Sequence, residues 1–263
     1  MAIRDWLGDA VHIRDGLFRH VRFLPTASGS LYMSLYAATD PGPGGPRLVV
    51  CPAWHADGDY GFEIAHHVCA GVALHGGVAA MFHWPGHGES DGDPRTLTMQ
   101  QLVAAGEAVL DEVIGDHGPG IVAVAGVQVG AVPAVAVARS RRADRLLLIE
   151  PDLDADAHFA AIERTARRTS LGKDRPPDWA ASRFVPRHLR EAPVPTAPLL
   201  PADPTRVTRS AAIRYEASTP IGLDGVEEVV VPGSRRRRSP DHHLALREAA
   251  IDWLNRTTGR ADA

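Results

Sequence analysis

Lysine is nearly missing from this chain: Lys173 is the sole one among 263 residues. Positive charge is therefore almost all arginine. With 28 basic and 32 acidic side chains the net charge is −4, so no global basic field supports nucleic acid as a partner. Cysteine is almost as scarce, with Cys51 ending an apolar strand and Cys69 in an amphipathic helix. That placement reads as two buried free thiols rather than a disulfide, and fits a reducing compartment. No Cys/His spacing resembles a zinc site, so neither a metal nor a cofactor is expected. Long apolar runs are missing too. The longest weakly polar one, IVAVAGVQVGAVPAVAVA, is broken by glycines, a glutamine and a proline, and reads as strand, turn and helix rather than a membrane span. MAIRDWLGDA carries early charges and lacks the apolar centre of a secretory signal. A cytoplasmic location is the resulting expectation. No internal repeat is visible.

What is present is ordinary for a globular α/β protein: 44% hydrophobic and 23% charged residues, with enough length for one large domain. LFRHVRFLP and SLYMSLYAA flank the turn TASG as an antiparallel hairpin. RLVVC, GVAAMFH, GIVAVA, RLLLIE, SAAIRYE and VEEVVVP read as further strands, eight in all. Helices are expected from about Tyr60 to His75, from Thr98 to Asp116, after Gln128 through Ser140, and over DHHLALREAAIDWLNR. In the second of these, Leu102, Val109, Leu110 and Val113 fall near one face. Strands alternating with helices predict a parallel sheet wrapped by helices. The rhythm lapses over residues 153–205, amphipathic at first and then proline-rich (APVPTAPLLPADP), which predicts a cap with an extended return. The core is then 1–152 and 206–258, with a frayed tail at 259–263.

Three segments carry a resemblance. RLVVCPAWHADGDY combines a strand with a tight turn. FHWPGHGESDGD is a polar loop built around G-H-G-x-S-x-G. AVAGVQVGA is a strand running into a glycine turn and a helix. In this order they resemble the α/β-hydrolase superfamily, nearest its serine-aminopeptidase and monoglyceride-lipase branch. The resemblance covers nearly the whole chain, weakly in the cap. It implies an α/β-hydrolase fold: a mostly parallel eight-stranded sheet with flanking helices and a small cap insert.

In that family the turn of AVAGVQVGA holds a serine nucleophile. Here the position is Gln128, which has no hydroxyl for a base to deprotonate. The family's acid would fall at Ser218 or Thr219 in YEASTPIG, and its histidine near Arg235 or Arg236 in VPGSRRRRSP. His242 and His243 come a few residues later. Nucleophilic acyl transfer uses a hydroxyl, a base and an orienting acid together, and losing one member costs on the order of a million-fold. An ordinary serine hydrolase is therefore not expected.

What the resemblance leaves is a pocket at the carboxyl ends of the strands. Gly126 and Gly130 allow the tight turn, and the backbone N–H groups of Val129 and Ala53 would form an oxyanion hole for a carbonyl or enolate oxygen. Gln128 would orient a carbonyl or a water, or fill the vacated space. Glu150, Glu216, His55, Asp57 and His83 are the strand-end groups able to move a proton next to a carbonyl. Of these, His83 would also line the substrate site, with Trp54 as an apolar wall. His87 and Ser90 read as braces of the loop. Arg235, Arg236, Arg237 and Arg238 form a candidate anion site for coenzyme A, a phosphopantetheine arm or a carrier protein, or else a solvated loop. Three readings follow. One is a non-hydrolytic enzyme (elimination, cyclisation or acyl handling) acting on an apolar carbonyl-bearing small molecule. Another is a catalytically silent binder of a ligand or partner. The third is a hydrolase in which a carboxylate or displaced histidine directs water.

Overall fold

The computed structural model describes residues 11–14, 16–39, 41, 44–53, 58–93, 97–117, 120–141, 143–153, 209–233 and 240–256. All eight expected strands are present in one sheet. They are β2 (Leu17–Thr26), β3 (Gly29–Ala38), β4 (Gly44–Cys51), β5 (Val78–Phe82), β6 (Gly120–Val127), β7 (Arg145–Ile149), β8 (Arg209–Tyr215) and β9 (Glu227–Val231). A ninth strand, β1 (Val11–Arg14), corrects the expected count of eight. It is four residues long and pairs antiparallel along β2 with Val11 and Ile13 exposed, so it has no buried face for a hydrophobic pattern to reveal.

The spatial order is β1-β2-β3-β5-β4-β6-β7-β8-β9. The β2–β3 hairpin closes at Thr26↔Gly29, and β3 runs antiparallel to β5. Every pairing from β5 through β4, β6, β7 and β8 to β9 is parallel. The central strands are apolar along their length because both faces are covered. On one face, helices α2 (Met99–His117) and α3 (Ala131–Ser140) bury Leu102, Val109, Leu110, Val113 and Val135. On the other, α1 (Gly58–Leu74) and α4 (Pro240–Asn255) bury Ile64, Val68, Leu246 and Trp253.

Local chemistry explains the helix ends. Thr98 and Gln101 form a capping box ahead of α2: the Gln101 N–H donates to Thr98 Oγ1 at 3.3 Å, and the Thr98 N–H donates to Gln101 Oε1 at 2.8 Å. Pro133 falls in the first turn of α3, where its missing N–H removes no intrahelical bond. The two cysteines sit in cores on opposite faces of the sheet, free and buried, as their sequence placement suggested. The cap expected over 153–205 lies, from residue 154 on, outside the described residues, as does the tail at 259–263.

Candidate active site at the carboxyl edge of the sheet

The order of strands reverses between β4 and β6, and an open α/β sheet offers its binding crevice at such a switch point. β6 ends at Val127, a single 3-10 turn covers Gln128–Gly130, and α3 starts at Ala131. Gln128 lies at the apex with φ 53° and is fully buried. Left-handed backbone at a non-glycine residue costs about 1–2 kcal/mol, so the surrounding packing holds it there.

That packing is visible in the two flanking glycines. A Cβ on Gly126 would meet Ala131 Cα at 2.5 Å and Ala134 Cβ at 2.7 Å, so α3 doubles back tightly on its own strand. A Cβ on Gly130 would sit on the carbonyl oxygens of Cys51 and Pro52, well under the 3.0 Å that real Cβ atoms respect. The elbow is thus pressed against the end of β4, which brings together the segments holding Val129 and Ala53.

Ala53 is fixed from other sides as well. The Trp84 indole N–H donates to the Pro52 carbonyl at 2.9 Å, and a Cβ on Gly61 of α1 would strike Ala53. Trp84 is itself buried, edge-on to Phe82 with ring centroids 4.6 Å apart. Its positioning role was not read from the sequence, although WPGHG places a tryptophan at the root of the loop.

Glu150 is the second left-handed non-glycine residue among those described, with φ 48°. Val127 and Ile149 are register partners, so Gln128 and Glu150 follow matched positions on adjacent strands. The Asp152 N–H donates to the Gln128 carbonyl at 3.1 Å and ties the two strand exits together. The Glu150 carboxylate is buried. Its Oε1 accepts from the Tyr215 N–H at 2.6 Å and its Oε2 from the Ser218 hydroxyl at 2.8 Å. Ser218, expected in place of an acid, therefore links to an acid one strand away. Glu216 stands apart, with an exposed side chain and its N–H donating to Val231 O at 2.9 Å.

His83 leaves β5 and braces the 83–91 loop. It stacks on Tyr32 at 4.5 Å and meets Phe62 at 4.6 Å. Its carbonyl accepts from Ser90 Oγ at 2.8 Å, while Ser90 Oγ accepts from the Tyr32 N–H at 2.9 Å. Asp91 closes the loop through reciprocal bonds with Ser30. Nδ1 of His83 lies 3.2 Å from the Glu89 N–H and 2.7 Å from Glu89 Oε2. A neutral ring accepts from the N–H, whereas a protonated ring donates to the carboxylate.

Burial pushes the His83 pKa down, with Glu89 opposing, and burial also lowers that of His87, with the Pro85 carbonyl opposing. The folded state thus binds these protons less readily than the unfolded chain. Their contribution to stability is complete above about pH 6.5 and falls as pH drops through that value towards the folded-state pKa values. Protection of the amides over residues 83–92, taken relative to their intrinsic exchange rate at each pH, is expected to fall between pH 7.5 and 5. The double variant His83→Gln/His87→Gln should flatten this dependence, and an unchanged slope would contradict it.

Both thiols are buried away from the elbow's open side. Cys51 is packed in the core below Gly106 and Val137, and burial raises its pKa well above that of an ordinary thiol. Cys69 is raised in the same way on the far side of the sheet. His242 and His243 lie in the first turn of α4. His242 packs on Tyr215 with ring centroids 5.7 Å apart, and His243 is buried beside Glu63. Trp54, His55 and Asp57, and the arginines at 235, 236, 237 and 238, lie outside the described residues. Among the described residues, Glu63, His67 and His243 are a group able to hold a metal ion. No described helix is long and apolar enough to cross a membrane.

No protein-family model and no curated protein matches the chain. Solved structures do. An α/β serine hydrolase homologue from Coxiella burnetii is 12% identical with a TM-score of 0.60, over 93% of this chain and 100% of that one. An α/β serine hydrolase without a lid from Xanthomonas campestris is 15% identical with a TM-score of 0.59, over 91% and 96%. A thioesterase domain from the curacin biosynthetic pathway is 14% identical with a TM-score of 0.54, over 90% and 97%. By its sheet order, its flanking helices and its likeness to these structures, the chain carries the α/β-hydrolase fold.

Proposed function

We propose that this protein is a non-hydrolytic enzyme that uses the α/β-hydrolase scaffold without a Ser-His-Asp triad. Its substrate is an apolar small molecule bearing a carbonyl, and its reaction is elimination, cyclisation or acyl handling. The Ala53 and Val129 N–H groups hold the carbonyl oxygen as negative charge develops there. Gln128 orients the bound group, and Glu150 moves the proton next to the carbonyl. The observation behind this reading is the pair of left-handed residues, Gln128 and Glu150, on register-matched strand ends at the switch point. Backbone strain of this kind concentrates at functional sites. The likeness to a biosynthetic thioesterase domain agrees with an acyl group carried as a thioester, on coenzyme A or a carrier protein. The arginines at 235 to 238 would then bind the acidic arm.

The test is proton exchange in D2O on a series of acyl thioesters of increasing chain length, followed by mass spectrometry. Saturable, enzyme-dependent deuterium uptake at the carbon next to the carbonyl is the expected result. Its absence at every chain length, with no other turnover, overturns the reading. The complete burial of Gln128 favours a second one, a silent binder whose pocket that side chain fills. Calorimetric binding without exchange would identify it. Release of free thiol without exchange would instead indicate water directed by a carboxylate or displaced histidine.

A further inference from the structure

Two histidines outside the candidate active site, His67 and His243, meet between α1 and α4. Glu63 and His67 are four residues apart on α1 and so lie one turn apart on the same helical face. His243 is the fourth residue of α4 and is buried to 3% exposure. The carboxylate and imidazole ligand atoms of Glu63, His67 and His243 all lie within 4.8 Å of one another. Within the group, His243 Nδ1 and Glu63 Oε1 are 3.3 Å apart. Two ligands bonded at about 2.0–2.1 Å to one tetrahedral ion are separated by about 3.3 Å, so this pair is already spaced as a coordination edge. The His67 and His243 rings stand 5.6 Å apart and inclined at 47°.

The helices that carry these groups cannot slide freely. A Cβ on Gly71 would meet Ile251 Cδ1 at 2.5 Å and Arg247 Cγ at 2.8 Å, so α1 and α4 cross at close range beside the cluster. Ile64, Val68, Leu246 and Ala250 bury the surfaces around it. The neighbouring His66 is turned to another partner, with its Nδ1 2.9 Å from the Tyr36 hydroxyl. The Glu63 side chain is half exposed and gives a path from solvent to the buried His243.

We infer that Glu63, His67 and His243 form a binding site for a divalent transition-metal ion of the zinc class. Two imidazoles and one carboxylate suit Zn2+, Co2+ or Ni2+, and leave a fourth position for water. The ion would pin α1 to α4. The site stands whether or not the proposed chemistry is correct.

The experiment uses the full chain, stripped with a chelator and titrated with Zn2+ against a chromophoric competitor. The bound site is also read by the absorption of Co2+. One equivalent should bind with a Kd at or below about 1 μM. Losing a ligand costs at least the roughly 10- to 100-fold typical of losing an outer-shell partner, so Glu63→Gln, His67→Asn and His243→Asn should each weaken binding by that much or more. His75→Asn, on an exposed histidine just beyond α1, should change nothing. Zinc affinity weaker than about 100 μM overturns the inference. So does unchanged affinity in folded Glu63→Gln and His67→Asn. The exposed Glu63 keeps the test decisive even if replacing the buried His243 prevents folding.

Discussion

Glu150→Gln should leave the fold intact while lowering α-proton exchange on the thioester series by about 100- to 10,000-fold, the range a positioned general base supplies. The two side chains have the same shape. A glutamine at this position can still accept from the Tyr215 N–H and can donate its amide to Ser218 Oγ, so both bonds of the present carboxylate have replacements. What glutamine cannot do is take up a proton near neutral pH. Thermal midpoints of the two proteins should therefore agree while their exchange rates separate. Glu216→Gln serves as the control. Its side chain is exposed at the end of β8, and its exchange rate should match that of the wild type. Equal exchange by Glu150→Gln and the wild type would remove Glu150 from the chemistry. Loss on Glu216→Gln instead would move the base one strand over.

The second large effect falls on stability. Gly130→Ala is expected to destabilise the protein by about 2 kcal/mol or more, although alanine is the better helix former by about 1 kcal/mol. Gly130 has φ −62°, which any residue adopts, so the penalty is steric alone. The new methyl would overlap the carbonyl oxygens of Cys51 and Pro52. These are backbone atoms that a flexible side chain's movement cannot relieve. Gly115→Ala provides the opposite case within α2, where nothing lies within 4 Å of the added carbon. There the propensity gain stands by itself, up to about 1 kcal/mol in favour of the variant. Urea midpoints of the two variants should move in opposite directions. A neutral Gly130→Ala would mean that the elbow is not pressed against β4, and the pairing of Ala53 with Val129 would lose its basis.

The sequence made the sheet legible because burial on both faces leaves a plain signature. RLVVC, GIVAVA and RLLLIE are continuous apolar runs, and each became a central strand. β1 left no such mark, since the side chains of Val11, His12 and Ile13 are exposed. The elbow was legible through Gly126 and Gly130, whose spacing is demanded by close approach of backbone to backbone. Glu150 stood out as a carboxylate at a strand end. Its left-handed backbone and its bond to Ser218 could not be read, because both depend on β8, which follows about sixty residues later. The Trp84–Pro52 bond and the Glu63–His67–His243 cluster were hidden for the same reason. No linear spacing joins residues on separate helices or strands, and the expectation of no zinc-like site rested on spacing alone.

On the proposed function, the turn after β6 presents Gln128, a side chain with no attacking oxygen, and no other hydroxyl or thiol takes over. A fluorophosphonate probe reports this directly, because it bonds only to an activated nucleophile. Intact-mass spectrometry after prolonged incubation should show the unmodified chain, under conditions in which a serine esterase is labelled to completion. A single stoichiometric adduct, mapped to any serine or cysteine and abolished by replacing that residue, would contradict the account.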